Sequence, residues 1–221
     1  MITLAIDAST YTGTVAIARG GDVVVSAVAA MRGTAEEHLM PAVASAVTAA
    51  GLTPRAIERV VCGAGPGSFT SLRIAASIAK GLAVGLERPL FAVSSLALLV
   101  ASAGDALAPG TYLAALDALR GEWYAAEYVV ARDGSIAARD GELHLVPADG
   151  LVPLARQLDA RLTGPGLELD VQPHAAGVVR LEPMLRKDGP VDLASWQPDY
   201  GRKAEAQVRW EAAHGRPLPH T

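Results

Sequence analysis

The stretch Val60-Val61-Cys62-Gly63-Ala64-Gly65-Pro66-Gly67-Ser68-Phe69-Thr70-Ser71-Leu72-Arg73-Ile74 constrains the fold more than any other part of the chain. A short apolar run enters a loop of glycine and proline, and a helix-like pattern follows from Phe69 to about Gly85. Gly63, Gly65 and Gly67 allow backbone angles that a Cβ forbids, and Pro66 fixes one turn in place. Ser68 ends the loop, with a hydroxyl that can cap free backbone N–H groups. Strand, glycine loop and helix together are an α/β device. The first-turn N–H groups of the helix point at whatever sits over the loop, and an anion suits that spot. From the glycines alone, a tight turn that packs helix on sheet is an equal reading.

The totals narrow the class. A chain of 221 residues suits one or two domains and can bury roughly 70% of the surface of its unfolded form. Half its residues are apolar and only 19% are charged, so a well-packed globular protein is expected. The net charge of −4 offers no general basic field for nucleic acid. Cys62 is the single cysteine; it excludes an internal disulfide and, set in an apolar strand, reads as a buried inert thiol. No charged segment precedes an apolar one at the N-terminus. The apolar stretches after Ile74 and Phe91 are interrupted by Lys80-Gly81 and Ser94-Ser95. A cytoplasmic protein with no membrane contact is expected.

Taken in order, Ile2–Ile6 reads as a strand that ends in Asp7-Ala8-Ser9-Thr10. Thr14–Ala18 and Val23–Val28 follow as a hairpin around Arg19–Asp22. Thr34-Ala35-Glu36-Glu37 has the form of a capping box, and a helix is expected from there to Ala50, stopped by Gly51. Its apolar positions wrap more than one side, which marks a deeply buried helix or one that offers a face to a partner. His38 has no second histidine three or four residues away, so it reads as a boundary residue and not a metal ligand. Thr53-Pro54 opens a short turn, Val60–Cys62 is a strand, Pro89–Val93 another, and Ser94-Ser95-Leu96 opens a helix to about Ala103. Thr111–Leu116, the turn Asp117–Gly121 and Trp123–Val130 begin a second half. Turns are expected at Arg132–Ser135 and Arg139–Glu142, and a helix at Leu151–Leu162. Leu167–Trp196 is Pro-broken and irregular, and Lys203–Ala213 can form a last helix.

Gly65-Pro66-Gly67-Ser68-Phe69-Thr70, with Leu72-Arg73-Ile74, closely resembles the signature of the bacterial TsaB family, which acts in the synthesis of threonylcarbamoyladenosine beside the tRNA anticodon. Ser71 and Ala75 stand where that family usually has glycine. The resemblance extends to Asp117-Ala118-Leu119-Arg120-Gly121-Glu122-Trp123-Tyr124, with Leu119 in place of an arginine, and to a closing element at Gln197–Arg202. Asp7, Ser9 and Thr10 resemble the first phosphate loop of the actin, sugar-kinase and Hsp70 superfamily, and Gly164-Pro165-Gly166 its adenosine loop. In the catalytic paralogue, TsaD, a His-x-x-x-His pair binds the metal; the matching positions here are Ser95 and Leu99. Serine ligates transition metals poorly and leucine not at all.

The resemblance implies an α/β fold of the actin-like ATPase (ASKHA, RNase H-like) type, with two lobes that each hold a mixed β-sheet flanked by helices. The lobes are expected at residues 1–104 and 105–201, with a C-terminal helix and tail at 202–221. It also implies a non-catalytic partner of TsaD that has neither catalytic nor metal-binding residues. The two long helices would make the contact, through His38, Leu39, Ala42, Val43, Ala46, Ser68, Phe69, Thr70, Leu72, Arg73 and Ala76. Asp7, Ser9, Thr10, Gly65 and Gly67 are the positions where a nucleotide phosphate would bind. No cofactor is expected on this chain alone, with ATP used by a complex that includes TsaD and a TsaE-type ATPase. A homodimer is expected without the partner, and tRNA only through the complex. The alternative is an active small-molecule kinase or ATPase, which rests on Asp7 and the glycine loop. The bulky Asp117–Arg120 turn stands against it, because phosphate could not approach that backbone closely. A peptidase has no legible triad.

Overall fold

Strand β1 (Ile2–Asp7) is buried at five of its six residues, because helices cover its sheet on both faces. This is a computed structural model, and it describes residues 1–33, 36–139, 142–202, 210 and 213–215. β1 pairs antiparallel with β2 (Thr12–Arg19), which pairs antiparallel with β3 (Asp22–Ala30). On its other side β1 runs parallel to β4 (Arg59–Gly63), and β4 parallel to β5 (Leu90–Val93). The first sheet therefore has the order β3-β2-β1-β4-β5. Leu4, Ile6, Val15, Ile17, Val60 and Cys62 pack with helices α1 (Leu39–Ala49) and α2 (Phe69–Leu86), whereas Ala5, Ala16 and Val61 pack against the opposite side.

On that opposite side lies α3 (Ser95–Ala101), with all seven residues buried. Its sequence is apolar around the whole circumference after Ser95, which suits a helix enclosed by protein. It packs between the first sheet and the second, where Tyr112, Ala114, Leu116, Ala126 and Tyr128 meet it, so the two halves share one core. The second sheet consists of β6 (Gly110–Leu119), β7 (Glu122–Val130), β8 (Ile136–Ala138), β9 (His144–Pro147) and β10 (Arg161–Thr163). β6 and β7 are antiparallel, β8 and β9 both pair β7, and β10 runs parallel to β6. Both sheets thus start with a strand and hairpin and return, after a helix, with a strand parallel to the first. Two mixed sheets flanked by helices are the architecture that the sequence leads one to expect.

Several elements differ from expectation. α1 starts at Leu39, and the carboxylate of Glu37 accepts the N–H groups of Leu39 and of Met40, the latter at 3.0 Å; Thr34 lies outside the described residues. Ser68 caps no N–H, because its hydroxyl bonds Ser71 Oγ at 3.0 Å. Ser94 does cap α3, accepting from Leu96 N at 3.2 Å. The helix expected at Leu151–Leu162 is α4 (Leu151–Gln157) only; Asp159 turns left-handed, and the chain enters β10, where Leu162 and Thr163 are buried. The segment read as irregular contains a 3-10 turn at Ala175–Arg180 and α5 (Glu182–Asp188), with Ala175, Val178, Leu181 and Leu185 in the core. Asp140 and Gly141 of one expected turn, and almost all of the expected last helix, lie outside the described residues.

Candidate functional site

Asp7 ends β1 and is completely buried. One carboxylate oxygen accepts Ser9 N at 3.1 Å and Ser9 Oγ at 2.8 Å; the other accepts Ser95 Oγ at 2.6 Å. Gly65 N in turn donates to Ser95 Oγ at 3.1 Å. Burial raises the Asp7 pKa above its ordinary value, and the bonds from Ser95 and Ser9 oppose that rise. Gly63 leaves just enough room, since a Cβ there would lie 1.9 Å from Asp7 Oδ2. Burial, and then the Asp7 charge, also push the neighbouring Cys62 thiol well up, which keeps it protonated and inert. Asp7 is thus a knot that ties β1, the glycine loop and the start of α3.

The glycines hold the loop against its neighbours. Ser68 N donates to Ser9 O at 2.7 Å, and a Cβ on Gly67 would lie 2.1 Å from that same oxygen. At Gly65, in the left-handed region at φ +90°, a Cβ would lie 2.1 Å from the carbonyl oxygen of Asp199. Asp199 belongs to the closing element, and its N–H donates to Ala64 O at 2.7 Å. The Tyr200 ring then packs on Phe69, centroids 4.5 Å apart and tilted by 45°, and its carbonyl accepts Tyr124 Oη at 3.2 Å. Arg202 pairs with Glu122 and donates to Leu119 O at 3.4 Å. The closing element thereby bridges the glycine loop and the second sheet.

The second acidic turn is built differently. Asp117 is exposed and accepts Leu119 N at 2.7 Å. Leu119, Arg120 and Gly121 all lie in the left-handed region, at φ +63°, +58° and +77°. A non-glycine pair in that region is uncommon. The side chains of Leu119 and Arg120 border the cleft described next.

Between the two turns lies a cleft of about 1310 Å³, bordered by Ser9, Thr10, Gly67 and Ser68 on one wall and by Asp117, Arg120 and Trp123 on the other. Of the sequence-selected phosphate positions, Ser9, Thr10 and Gly67 border this cleft, whereas Asp7 and Gly65 are buried beneath it. The helical positions divide as well. Of the positions selected for partner binding, Leu39, Val43, Ala46, Leu72 and Ala76 are buried within this chain, Leu39, Val43 and Ala46 against the first sheet. His38, Ala42 and Ser68 are partly exposed, and Phe69, Thr70 and Arg73 are exposed. A shallow depression of about 460 Å³ on α2 is lined by Glu37, Phe69, Arg73, Ile74, Ser77 and Ile78. Sequence reasoning missed Tyr11, Arg32 and Trp123 on the cleft; their signal was an aromatic or basic residue directly beside a turn.

Ser95 and Leu99 are both fully buried in α3. Among the described residues, no three of His, Cys, Asp or Glu converge to hold a metal ion. α2 is 18 residues long with a mean hydropathy of 1.3, and it lies with one face on the first sheet.

Comparison with known proteins adds an independent line. The family model described as TsaD, tRNA N6-adenosine threonylcarbamoyltransferase, matches residues 30–156, more than half of the chain. The tRNA threonylcarbamoyladenosine biosynthesis protein TsaB of Bacillus subtilis is 29% identical over 227 residues, which take in 95% of this chain and 98% of that protein. TsaB of Escherichia coli is 37% identical over 111 residues, 50% of this chain and 48% of that one. Among solved structures, YeaZ from Pseudomonas aeruginosa superposes with a TM-score of 0.73 at 27% identity, covering 90% of this chain and 99% of its own. With the glycine loop, the buried Ser95 and the paired mixed sheets, these likenesses place the chain in the TsaB (YeaZ) family, an actin-like paralogue of TsaD.

Proposed function

We propose that this chain is a non-catalytic subunit of the machinery that makes threonylcarbamoyladenosine in tRNA, and that it binds and activates a TsaD-type threonylcarbamoyltransferase. The names of its relatives support the pathway. The observation that carries the partner role is the outer face of α2, where Phe69 is 39% exposed at the shallow depression and Val84, near the helix C-terminus, is 63% exposed. Met40 of α1 adds a further exposed apolar side chain. An apolar helix pair with this much uncovered surface suits a helical partner. In this reading the chain forms a heterodimer with TsaD, joins a TsaE-type ATPase in a larger complex, and pairs with itself when alone. It meets tRNA in the complex, in the cytoplasm.

The chain holds no cofactor by itself in this reading, and ATP is used by the complex. A metal-bound triphosphate does not fit the residues present. The carboxylate that would face the metal's water, Asp7, is sealed by three hydrogen bonds, and Leu119 and Arg120 fill the second loop. The kinase alternative loses its main support with Asp7.

Size exclusion with light scattering tests the proposal, with this chain alone and mixed with the TsaD of the same organism. One mixed peak with a copy of each is the expected result. Arg73→Glu combined with Ser77→Glu, both on the exposed face, should abolish it while the monomer stays folded. Two proteins that never co-elute, with or without ATP and the ATPase component, would overturn the partner role.

A further inference from the structure

We propose that the cleft between the two halves binds an unpaired RNA nucleotide, with its base on an aromatic wall and its phosphodiester on arginines. This rests on the role in tRNA modification proposed above, and it gives this chain a contact of its own with the RNA. The chain has only three Trp, five Tyr and two Phe, yet Tyr11, Phe69, Trp123, Tyr124 and Tyr200 all border this one cleft. Tyr11 already carries Arg32 on its ring and Phe69 contacts Tyr200 and Arg73, whereas Trp123 is half-buried on the opposite wall. An aromatic ring partly open to water in a groove, such as Trp123, is a stacking platform for a base.

The charge agrees. The whole chain carries −4, but the cleft is bordered by Arg32, Arg120 and Arg202; of the carboxylates beside them, Asp117 accepts Leu119 N and Glu122 pairs with Arg202. The Arg32 guanidinium lies 4.2 Å over the Tyr11 ring, a flat composite surface on which a base can stack while the cation meets phosphate. Arg202 Nε is a buried donor with no acceptor among the described residues.

Size and chemistry point to a polymer and not to a free nucleoside triphosphate. A cleft of about 1310 Å³ exceeds the roughly 300–1,000 Å³ of ordinary small-molecule pockets. A triphosphate needs a metal and a carboxylate to hold it, and Asp7 is withdrawn from the cleft. A phosphodiester carries one charge and needs only the arginines.

Fluorescence anisotropy with a fluorescein-labelled anticodon stem-loop RNA tests this, using the full chain alone and in mixture with TsaD. Saturable, salt-sensitive binding to the chain alone is expected. Arg32→Gln and Arg120→Asn should each weaken it and lower the slope of log K against log salt by about 0.7–1. Trp123→Ala should weaken binding about tenfold, and Trp123→Phe, which keeps a ring, should restore most of it. Arg55→Gln, on an exposed turn away from the cleft, should change nothing. Absence of RNA binding, or arginine variants indistinguishable from the parent, would overturn the inference. So would tight binding of AMP without RNA, which would assign the cleft to a free nucleotide. Co-elution with TsaD is read on the same samples: a mixed peak without cleft-dependent RNA binding sinks this inference and leaves the partner role standing. Loss of the mixed peak sinks the partner role instead.

Discussion

The two acidic turns occupy equivalent places, each after the first strand of its sheet, and they have opposite fates. Asp7 is buried, takes three hydrogen bonds and organises the elements around it. Asp117 is exposed and, among the described residues, bonds within its own turn, to Leu119 N two residues on. Against the first turn, Gly63 and Gly67 of the neighbouring glycine loop lie so close to the Asp7 carboxylate and the Ser9 carbonyl that no Cβ fits. In the second, two large side chains hold left-handed angles at a hairpin tip. One duplicated position has become a structural knot and the other a wall of the cleft.

The sharpest way to break this contrast is to crowd the first turn from the glycine loop. Gly67→Ala puts a methyl 2.1 Å from the backbone oxygen of Ser9, which cannot swing aside as a side chain can. The loop must shift and lose the Ser68 N to Ser9 O bond, so a loss of about 3 kcal/mol is expected in urea unfolding. An alanine at Gly121 has open space in front of it and meets only the backbone penalty of φ +77°, about 1–2 kcal/mol. Equal losses would erase the contrast. Next come the acids themselves. Asp7→Ala strands Ser9 N, Ser9 Oγ and Ser95 Oγ in the core and should cost about 1–3 kcal/mol. Asp117→Ala loses one exposed hydrogen bond and should cost about 0.5 kcal/mol. Asp7→Asn sharpens the point: it keeps the shape, removes a charge that burial disfavours, and should retain most of the parent's stability at neutral pH.

How far the sequence could lead follows the same division. The strand, glycine loop and helix around Gly63–Phe69 were legible because local geometry demands those residues whatever surrounds them. The Asp117–Gly121 hairpin was legible for a similar reason. What α1 and α2 bury was not. Leu39, Val43 and Ala46 form an apolar stripe, and a stripe does not say whether it meets its own sheet or a partner. Here it meets the sheet, and the exposed large apolar residues of the two helices are Met40, Phe69 and Val84. The segment after Leu167 was obscured by its prolines, although Val178, Leu181 and Leu185 already carried helical spacing. The cleft was illegible because its aromatics come from four separate stretches of chain that only the tertiary fold brings together.

Leu119 offers a gentler test of the second turn. It sits at φ +63° and is 55% exposed, so its side chain contributes little packing. Asparagine tolerates that angle better than a γ-branched residue does. Leu119→Asn should therefore raise stability, by up to about 1 kcal/mol, and the melting temperature by about 2–4 °C. A fall would mean that Leu119 holds the cleft wall by contact and not merely by position.

The smallest effect is a pH dependence that links the first turn to the far side of its sheet. Half-buried His174 accepts Ala176 N through Nδ1 at 3.0 Å, and its Nε2 lies 3.2 Å from Ser26 Oγ. Its neighbour Ala175 donates to Thr14 Oγ1 at 3.0 Å, and Thr14 donates to the Asp7 carbonyl oxygen at 3.4 Å. Burial lowers the His174 pKa below its ordinary 6.5, and the Asp7 charge pulls it partly back up. A lowered folded value means that the neutral ring favours the native state. That stability is present above the unfolded pKa and is lost as the pH falls through the folded one. Asp7 carries the opposite sign: its raised pKa favours the native state when protonated, and that contribution is lost as the pH rises through it. Melting temperature should therefore hold steady above about pH 7 and decline modestly below it, and His174→Gln should flatten the decline. In Asp7→Asn the charge that supports the imidazolium is gone, so the decline should move to lower pH. If the decline stays where it was, His174 does not feel Asp7, and the knot is confined to Ser9, Ser95 and the glycine loop.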